Sequence, residues 1–176
     1  MKIYALALAL FVSAYGFSQT TQLGLVSDVW PPFTNVPGET AVAMEIVKTA
    51  LNKNAIAVKE RILDFETVLK GLEAGSFQGS PALWKTEERE KFLLYSEPIL
   101  HNQLVLVGLK GADVSATSID DLKGKRVGLV EGYAYGEEVE NADGVSFIKG
   151  KNDQANVLLL LEKNVDYILV DGLLVA

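Results

Sequence analysis

The chain contains no cysteine and a single histidine. Without cysteine there are no disulfides and no thiolate metal sites. A lipid anchor attached to a cysteine just behind a leader is closed for the same reason. One histidine, with no second histidine and no cysteine to join it, leaves neither a histidine metal cluster nor a Cys–His couple. His101, between Leu100 and Asn102 and just ahead of an apolar run, is expected to be a hydrogen-bonded structural residue. Basic charge is scarce too: 16 Lys and Arg stand against 23 Asp and Glu, a net charge of −7. The basic residues are scattered, so a phosphate-tracking surface and a nucleic-acid partner are excluded. There is no GxSxG, GxGxxG or P-loop, and the glycines of GLVEGYAYG match no phosphate-binding spacing. These absences point to no catalytic residues, no metal and no cofactor.

What is present describes an ordinary globular protein: 176 residues, 49% hydrophobic and 22% charged, enough for one domain or two small ones with a sizeable core. The first residues, MKIYALALALFVSAYGFSQT, follow another rule. Lys2 gives a positive start, Ile3 to Tyr15 form an apolar run, and Gly16-Phe17-Ser18 places small residues three and one before a cut between Ser18 and Gln19. That is the pattern of a cleaved secretory signal peptide over residues 1–18. A membrane anchor is the alternative, but an apolar run of about 15 residues falls short of the ~20 that span a bilayer. At the other end, NVDYILVDGLLVA reads as a buried strand, a turn and a fresh apolar segment, after which the chain stops. A C-terminally truncated reading is expected from this, because natural domains rarely end just as a new element begins.

Between the ends, short apolar runs alternate with segments of helical period. QLGLVS is strand-like and leads into the Pro- and Gly-rich loop DVWPPFTNVPGE. Ala41 to Lys53 places Val42, Ile46 and Leu51 at helical spacing with Thr40 as its N-cap. AIAVKERIL alternates as a strand. Asp64 caps a helix, FETVLKGLEA, with Val68, Leu69 and Leu72 inward and Gly75 closing it. Thr86 to Lys91 reads as a short helical turn and LVLVGL as a strand. A second unit follows: a capped turn SIDDL, a strand KRVGLV, a helix beginning in GYAYGEEVEN, a strand VSFIK, a helix DQANVLLLLEKN and a strand VDYILV. Strands and helices in alternation with short connections indicate βαβ units and two α/β lobes joined near Leu100 to Leu104.

Five segments occur in a telling order: SDVWPPFT, LKGLEAGSFQGS, WKTEEREKFLLYSEPI, DDLKGKRVGLVEGYAYG and NVDYILVDG. In this order they resemble the extracytoplasmic solute-binding proteins of family 3, the polar amino-acid-binding group that serves ABC importers. The resemblance runs from about Gln22 to the end of the chain, and its most specific piece is the T-x-x-R block followed by YSEP. It implies a two-lobed periplasmic-binding-protein type II fold, each lobe a mostly parallel sheet flanked by helices. Lobe 1 would cover residues 19–101 and lobe 2 residues 102–176, with the C-terminal return to lobe 1 missing. It also implies a monomer in the periplasm that takes a small solute in an interlobe cleft, closes by hinge motion about Ile99 to Gln103, and delivers to an inner-membrane permease.

The resemblance places Arg89 where the family grips a ligand carboxylate, which suits a planar fork of donors in a cleft that sheds water on closing. The other reading of Arg89 is a surface side chain paired with Glu87 or Glu88. Asp171 matches the aspartate that receives a ligand ammonium; otherwise it is a turn-forming Asp before glycine. Trp30 and Phe33 stand where the family stacks an aromatic ring on the ligand, in a loop stiffened by two prolines; they equally fit a rigid turn with core-facing rings. Tyr133 lies at the expected start of a helix, where free N–H groups favour an anion, although Tyr133 and Tyr135 also fit as packing residues.

Three departures leave the ligand open. Trp84 occupies the usual Ser or Thr position five residues before the arginine, Tyr133 follows Gly132 where Ser or Thr is common, and Gln78 replaces an aspartate. An aromatic-rich cleft suits an amino acid, a small amine or another carboxylated metabolite. Two alternatives remain: a ligand-sensing domain of a signalling protein, and an enzyme on the same scaffold resembling dehydratases, with Glu131 or Asp171 as acid or base.

Overall fold

The computed structural model describes residues 21–175; the expected signal peptide, residues 1–18, lies outside the described residues. The first unit begins with β1 (Thr21–Ser27), α1 (Val42–Lys53), β2 (Ile56–Ile62) and α2 (Phe65–Glu73). β1 and β2 pair in parallel from Thr21 opposite Ile56 to Ser27 opposite Ile62. The other edge of β1 takes an extended segment, with Gln78 N–H donating to Gly24 O and Val26 N–H to Gly79 O, both at 3.0 Å.

Period-two alternation in β1 explains how both helices find a core. Leu25 points to one face, where it packs with Ala41 and Met44 beside α1. Val26 points to the other, against Val68 and Leu72 of α2. Asp64 caps α2 as expected, accepting from Thr67 N–H at 2.9 Å, and Gly75 closes it at φ +68°. The start of α1 departs from expectation. Ala41, not Thr40, is the N-cap, and no side chain caps the helix. The carbonyls of the WPPF loop take that role: Val42 N–H donates to Pro32 O at 2.8 Å and Ala43 N–H to Phe33 O at 2.9 Å. Two of the free N–H groups of the first turn are thereby satisfied by backbone, and the loop is tied to the helix. The Pro31–Pro32 bond inside it is cis.

α3 (Glu87–Glu90) is a single turn capped by Thr86, and the chain then passes into a second sheet. That sheet holds β3 (Leu104–Gly108), β4 (Arg126–Val130), β5 (Ser146–Gly150) and β6 (Tyr167–Asp171), in the order β3-β6-β4-β5. β4 runs parallel to β5 and β6, and only β3 is antiparallel, to β6. α4 (Glu137–Glu140) and α5 (Asp153–Leu161) make the crossovers. Along β6 the faces alternate again: Tyr167 packs with Val127, Leu129 and Tyr135 on one side, Ile168 and Val170 with Leu160 and Val165 on the other. The α/β architecture with parallel-dominated sheets is thus as the sequence indicates. Both strands of the first sheet precede residue 100 and all four of the second follow it.

Two local expectations fail. The helix expected from GYAYGEEVEN is confined to Glu137–Glu140. Gly132 and Gly136 both sit at positive φ, +77° and +89°, conformations that interrupt a right-handed helix. Tyr133 is therefore in a loop and not at a helix start. His101 is exposed, and no hydrogen bond of its ring is found among the described residues, so it is not the tied structural residue expected.

Candidate functional site

Residues from the two segments meet at a narrow cleft. Its closed part is a cavity of about 20 Å³ walled by Trp30 and Trp84 from the first segment and by Tyr133, Tyr135, Asp153 and Asp171 from the second. That volume admits about one water molecule, so a ligand the size of an amino acid enters only if the walls part.

The aromatic wall follows from the stiff loop. Trp30 N–H donates to Thr34 O at 2.9 Å and Phe33 N–H to Trp30 O at 2.9 Å, a tight turn that brings the two rings together at 4.4 Å. Trp30 faces the cavity. Phe33 is buried behind it against Ala43 and supports the tryptophan instead of lining the space. Across the cleft, Tyr133 stands edge-on to Trp30 at 6.2 Å and to Phe65 at 4.7 Å. Phe65, the first residue of α2, was not singled out in the sequence. Its position directly after the capping Asp64 is the signal, because that cap fixes the direction in which the ring leaves the helix.

Arg89 is 6% exposed, which disposes of the reading as a surface side chain. The charged neighbours do pair at the surface: Lys85 reaches Glu90 at 2.7 Å. Arg89 turns inward from α3. One terminal nitrogen, Nη1, donates to Trp84 O at 2.7 Å, and the other, Nη2, to Gly132 O at 2.9 Å. Its guanidinium lies 5.4 Å from the centre of the Phe65 ring, a cation–π contact. Tyr95 adds a hydroxyl donated to the same Trp84 carbonyl at 3.1 Å. Burial lowers the guanidinium pKa from its usual value, yet arginine is so strongly basic that the group stays charged. The side chain therefore carries a desolvated positive charge that bridges the two segments.

The acids lie mostly on the other side. Asp171, at the end of β6, is 4% exposed. It accepts from Leu173 N–H at 3.1 Å, and Asn102 Nδ2 donates to its second oxygen. The turn role expected for an Asp before Gly172 and a place on the cavity wall thus hold together in one residue. Asp28 is buried directly after β1, and Tyr133 Oη donates to its Oδ2 at 2.5 Å. Burial is the main reason its pKa is raised, with the Tyr133 bond opposing. The Tyr133 hydroxyl is pushed up in turn, first by burial and then by the Asp28 charge. Asp153 opens α5 and is 5% exposed. Burial raises its pKa to about 6, helped by the charges of Asp28 and Asp171.

Of the six residues named from the sequence, Trp30, Trp84, Tyr133 and Asp171 meet at one cavity, with Arg89 and Phe33 one layer behind. Gln78 lies elsewhere, its side-chain oxygen accepting from Gly24 N–H at 2.7 Å. Asp28 and Asp153 escaped the sequence reading because one sits inside a loop motif and the other looks like an ordinary acidic first residue of a helix. The arrangement offers one buried cation, several buried carboxylates and flat aromatic walls. It suits a small molecule carrying both charges, held between surfaces that come together around it.

Comparison with solved structures finds proteins of the same fold. An ancestral arginine-binding protein bound to arginine superposes with a TM-score of 0.75 at 27% identity, covering 86% of this chain and 70% of the other. The same type of protein bound to glutamine gives 0.75 at 28%, with 86% and 69% covered. An arginine transport-system periplasmic binding protein from Legionella pneumophila shares the fold, with a TM-score of 0.71 at 20% identity over 86% and 69% of the two chains. No protein-family model matches the chain, and no curated protein does.

Proposed function

We propose that this chain, whose fold and structural relatives are those of the family 3 solute-binding proteins of ABC importers, captures an amino acid in the cleft between its two sheets. The observation that carries the reading is a buried carboxylate, Asp171, on the wall of a cleft lined by Trp30, Trp84 and Tyr133, with a buried cation from the other segment, Arg89, one layer behind that wall and bonded to Trp84 O and Gly132 O. Arg89 takes the ligand carboxylate with its fork of donors and Asp171 takes the ammonium. The charges of one zwitterion are thus read by two separate segments of the chain, and binding favours the closed arrangement because only there are both read at once. The backbone carbonyls of Trp84 and Gly132 hold the Arg89 fork in place, and Trp30 and Tyr133 supply faces for the ligand's carbon skeleton. Delivery to a permease from the periplasm follows from the same kinship. The structural relatives are binding proteins, and the reading is accordingly one of binding without turnover.

Isothermal titration calorimetry of the protein against the common amino acids tests this. Saturable one-to-one binding of at least one of them, abolished in Arg89→Ala, is expected. No binding of any amino acid to folded protein overturns it.

A further inference from the structure

Asp153 is the group in the cleft that this binding scheme does not use. It lines the cavity and is 95% buried, being 5% exposed, and its Oδ2 has no hydrogen-bond partner among the described residues. The other two acids are engaged: Asp28 by the Tyr133 hydroxyl, Asp171 by Asn102 and by Leu173 N–H. Among the described residues no cationic side chain pairs with Asp153; Nη1 and Nη2 of Arg89 donate instead to the carbonyls of Trp84 and Gly132. Among the described residues no three His, Cys, Asp or Glu side chains gather to hold a metal ion.

We propose that Asp153 is a specificity-determining residue that receives a second cationic group of the ligand, so that the cleft selects a basic amino acid over a neutral one. The inference rests on the binding function proposed above. A neutral amino acid satisfies Arg89 with its carboxylate and Asp171 with its ammonium. Closure over it leaves the Asp153 carboxylate desolvated and unpaired, which is costly for a charged group. A ligand that ends in a guanidinium or a second ammonium brings the missing donor to Oδ2 and cancels that cost. Discrimination then arises as much from the penalty imposed on the neutral ligand as from attraction to the basic one. Kinship in fold does not settle this charge, since the ancestral relative is bound to arginine in one structure and to glutamine in another.

L-arginine and L-citrulline differ in one place, a charged guanidinium against a neutral urea of the same shape, and are the probes of choice. Calorimetry at pH 8 on the full chain is expected to show arginine bound at least tenfold more tightly than citrulline. In Asp153→Asn that ratio is expected to fall to within threefold of unity, chiefly by loss of arginine affinity, with circular dichroism confirming the fold. Should the variant fail to fold, the wild-type protein still decides. At pH 6, in buffers of different ionisation enthalpy, binding of arginine releases protons as Asp153 is held ionised, and binding of citrulline does not. The groups facing Asp153 in that titration are Asp28, Tyr133, Tyr135 and Asp171. An unchanged ratio in Asp153→Asn, or equal binding of both ligands by the wild type, overturns the inference and leaves the binding function standing. Failure of every amino acid to bind overturns the binding function itself.

Discussion

The Arg89 guanidinium donates through Nη2 to the backbone carbonyl of Gly132 at 2.9 Å, joining the segment of α3 to the loop behind β4. With Nη1 on Trp84 O at 2.7 Å, one side chain ties both walls of the cleft. Lysine keeps the charge but has no planar fork, so it cannot serve two carbonyls and a ligand carboxylate from one rigid plane. Arg89→Lys is expected to weaken amino-acid binding about 10- to 100-fold, the range of one or two lost charge-assisted hydrogen bonds. Calorimetry measures it, and an affinity within twofold of wild type would show that Arg89 serves only to join the walls.

The hydroxyl of Tyr133 is the donor assigned to Asp28, at 2.5 Å. Tyr133→Phe keeps the ring against Phe65 and Trp30 but leaves the carboxylate of Asp28 buried without that donor, a loss of about 1–3 kcal/mol. The pH dependence has a definite sign. The bond favours the charged carboxylate and opposes the rise in the Asp28 pKa caused by burial. Its removal therefore hurts where Asp28 is ionised and hardly matters where it is protonated. The melting-temperature difference between variant and wild type is expected to be small near pH 4 and to widen towards pH 8. A difference independent of pH would mean that the hydroxyl acts through some other group.

Much of the framework was legible because hydrophobic period and caps are local properties. Asp64, Thr86 and Gly75 mark the ends of their elements in the sequence and do so in the structure. Thr40 misled because the donors at the start of α1 are satisfied by carbonyls of a loop, which no side chain announces. Tyr133 was placed on a helix because EEVEN has helical character, and two glycines at positive φ decided otherwise. Trp30, Trp84 and Asp171 could be named from their motifs. Asp28, Phe65 and Asp153 could not, since their importance arises from what faces them across the cleft, and that is a property of two segments brought together.

Asp153 makes the ligand-free protein less stable as pH rises. Its pKa in the fold is raised from 3.8 to about 6, so the folded protein holds a proton that the unfolded chain has given up. The penalty is absent below pH 4, grows as pH passes from the unfolded value to about 6, and then stays constant. A shift of this size corresponds to roughly 3 kcal/mol at pH 7 to 8. Asp153→Asn removes the charge and is expected to raise the melting temperature at pH 8 by about 6–12 °C, using the size scaling for a chain of this length. At pH 4 the two proteins should melt together. Stabilisation of equal size at both pH values would point to packing and not to charge.

Asn156 lies one turn beyond Asp153 on α5, fully buried, and neither polar atom of its amide has a partner among the described residues. It is accommodated beside Gly150 of β5, where a Cβ would fall 2.3 Å from Asn156 Oδ1 and 3.1 Å from its Cγ. Those distances are well inside contact, and an amide enclosed on all sides has nowhere to swing. Gly150→Ala is therefore expected to cost about 1–3 kcal/mol through overpacking. Asn156→Ala removes the obstruction together with two unsatisfied polar atoms, and opposing losses of packing and gains in solvation keep its own effect small. The double variant should accordingly be more stable than Gly150→Ala alone, with a coupling of about 1 kcal/mol or more. Urea denaturation of the four proteins gives the cycle directly. Additive effects would mean that β5 and α5 move apart to admit the methyl group, and that the glycine is not fixed by its buried neighbour.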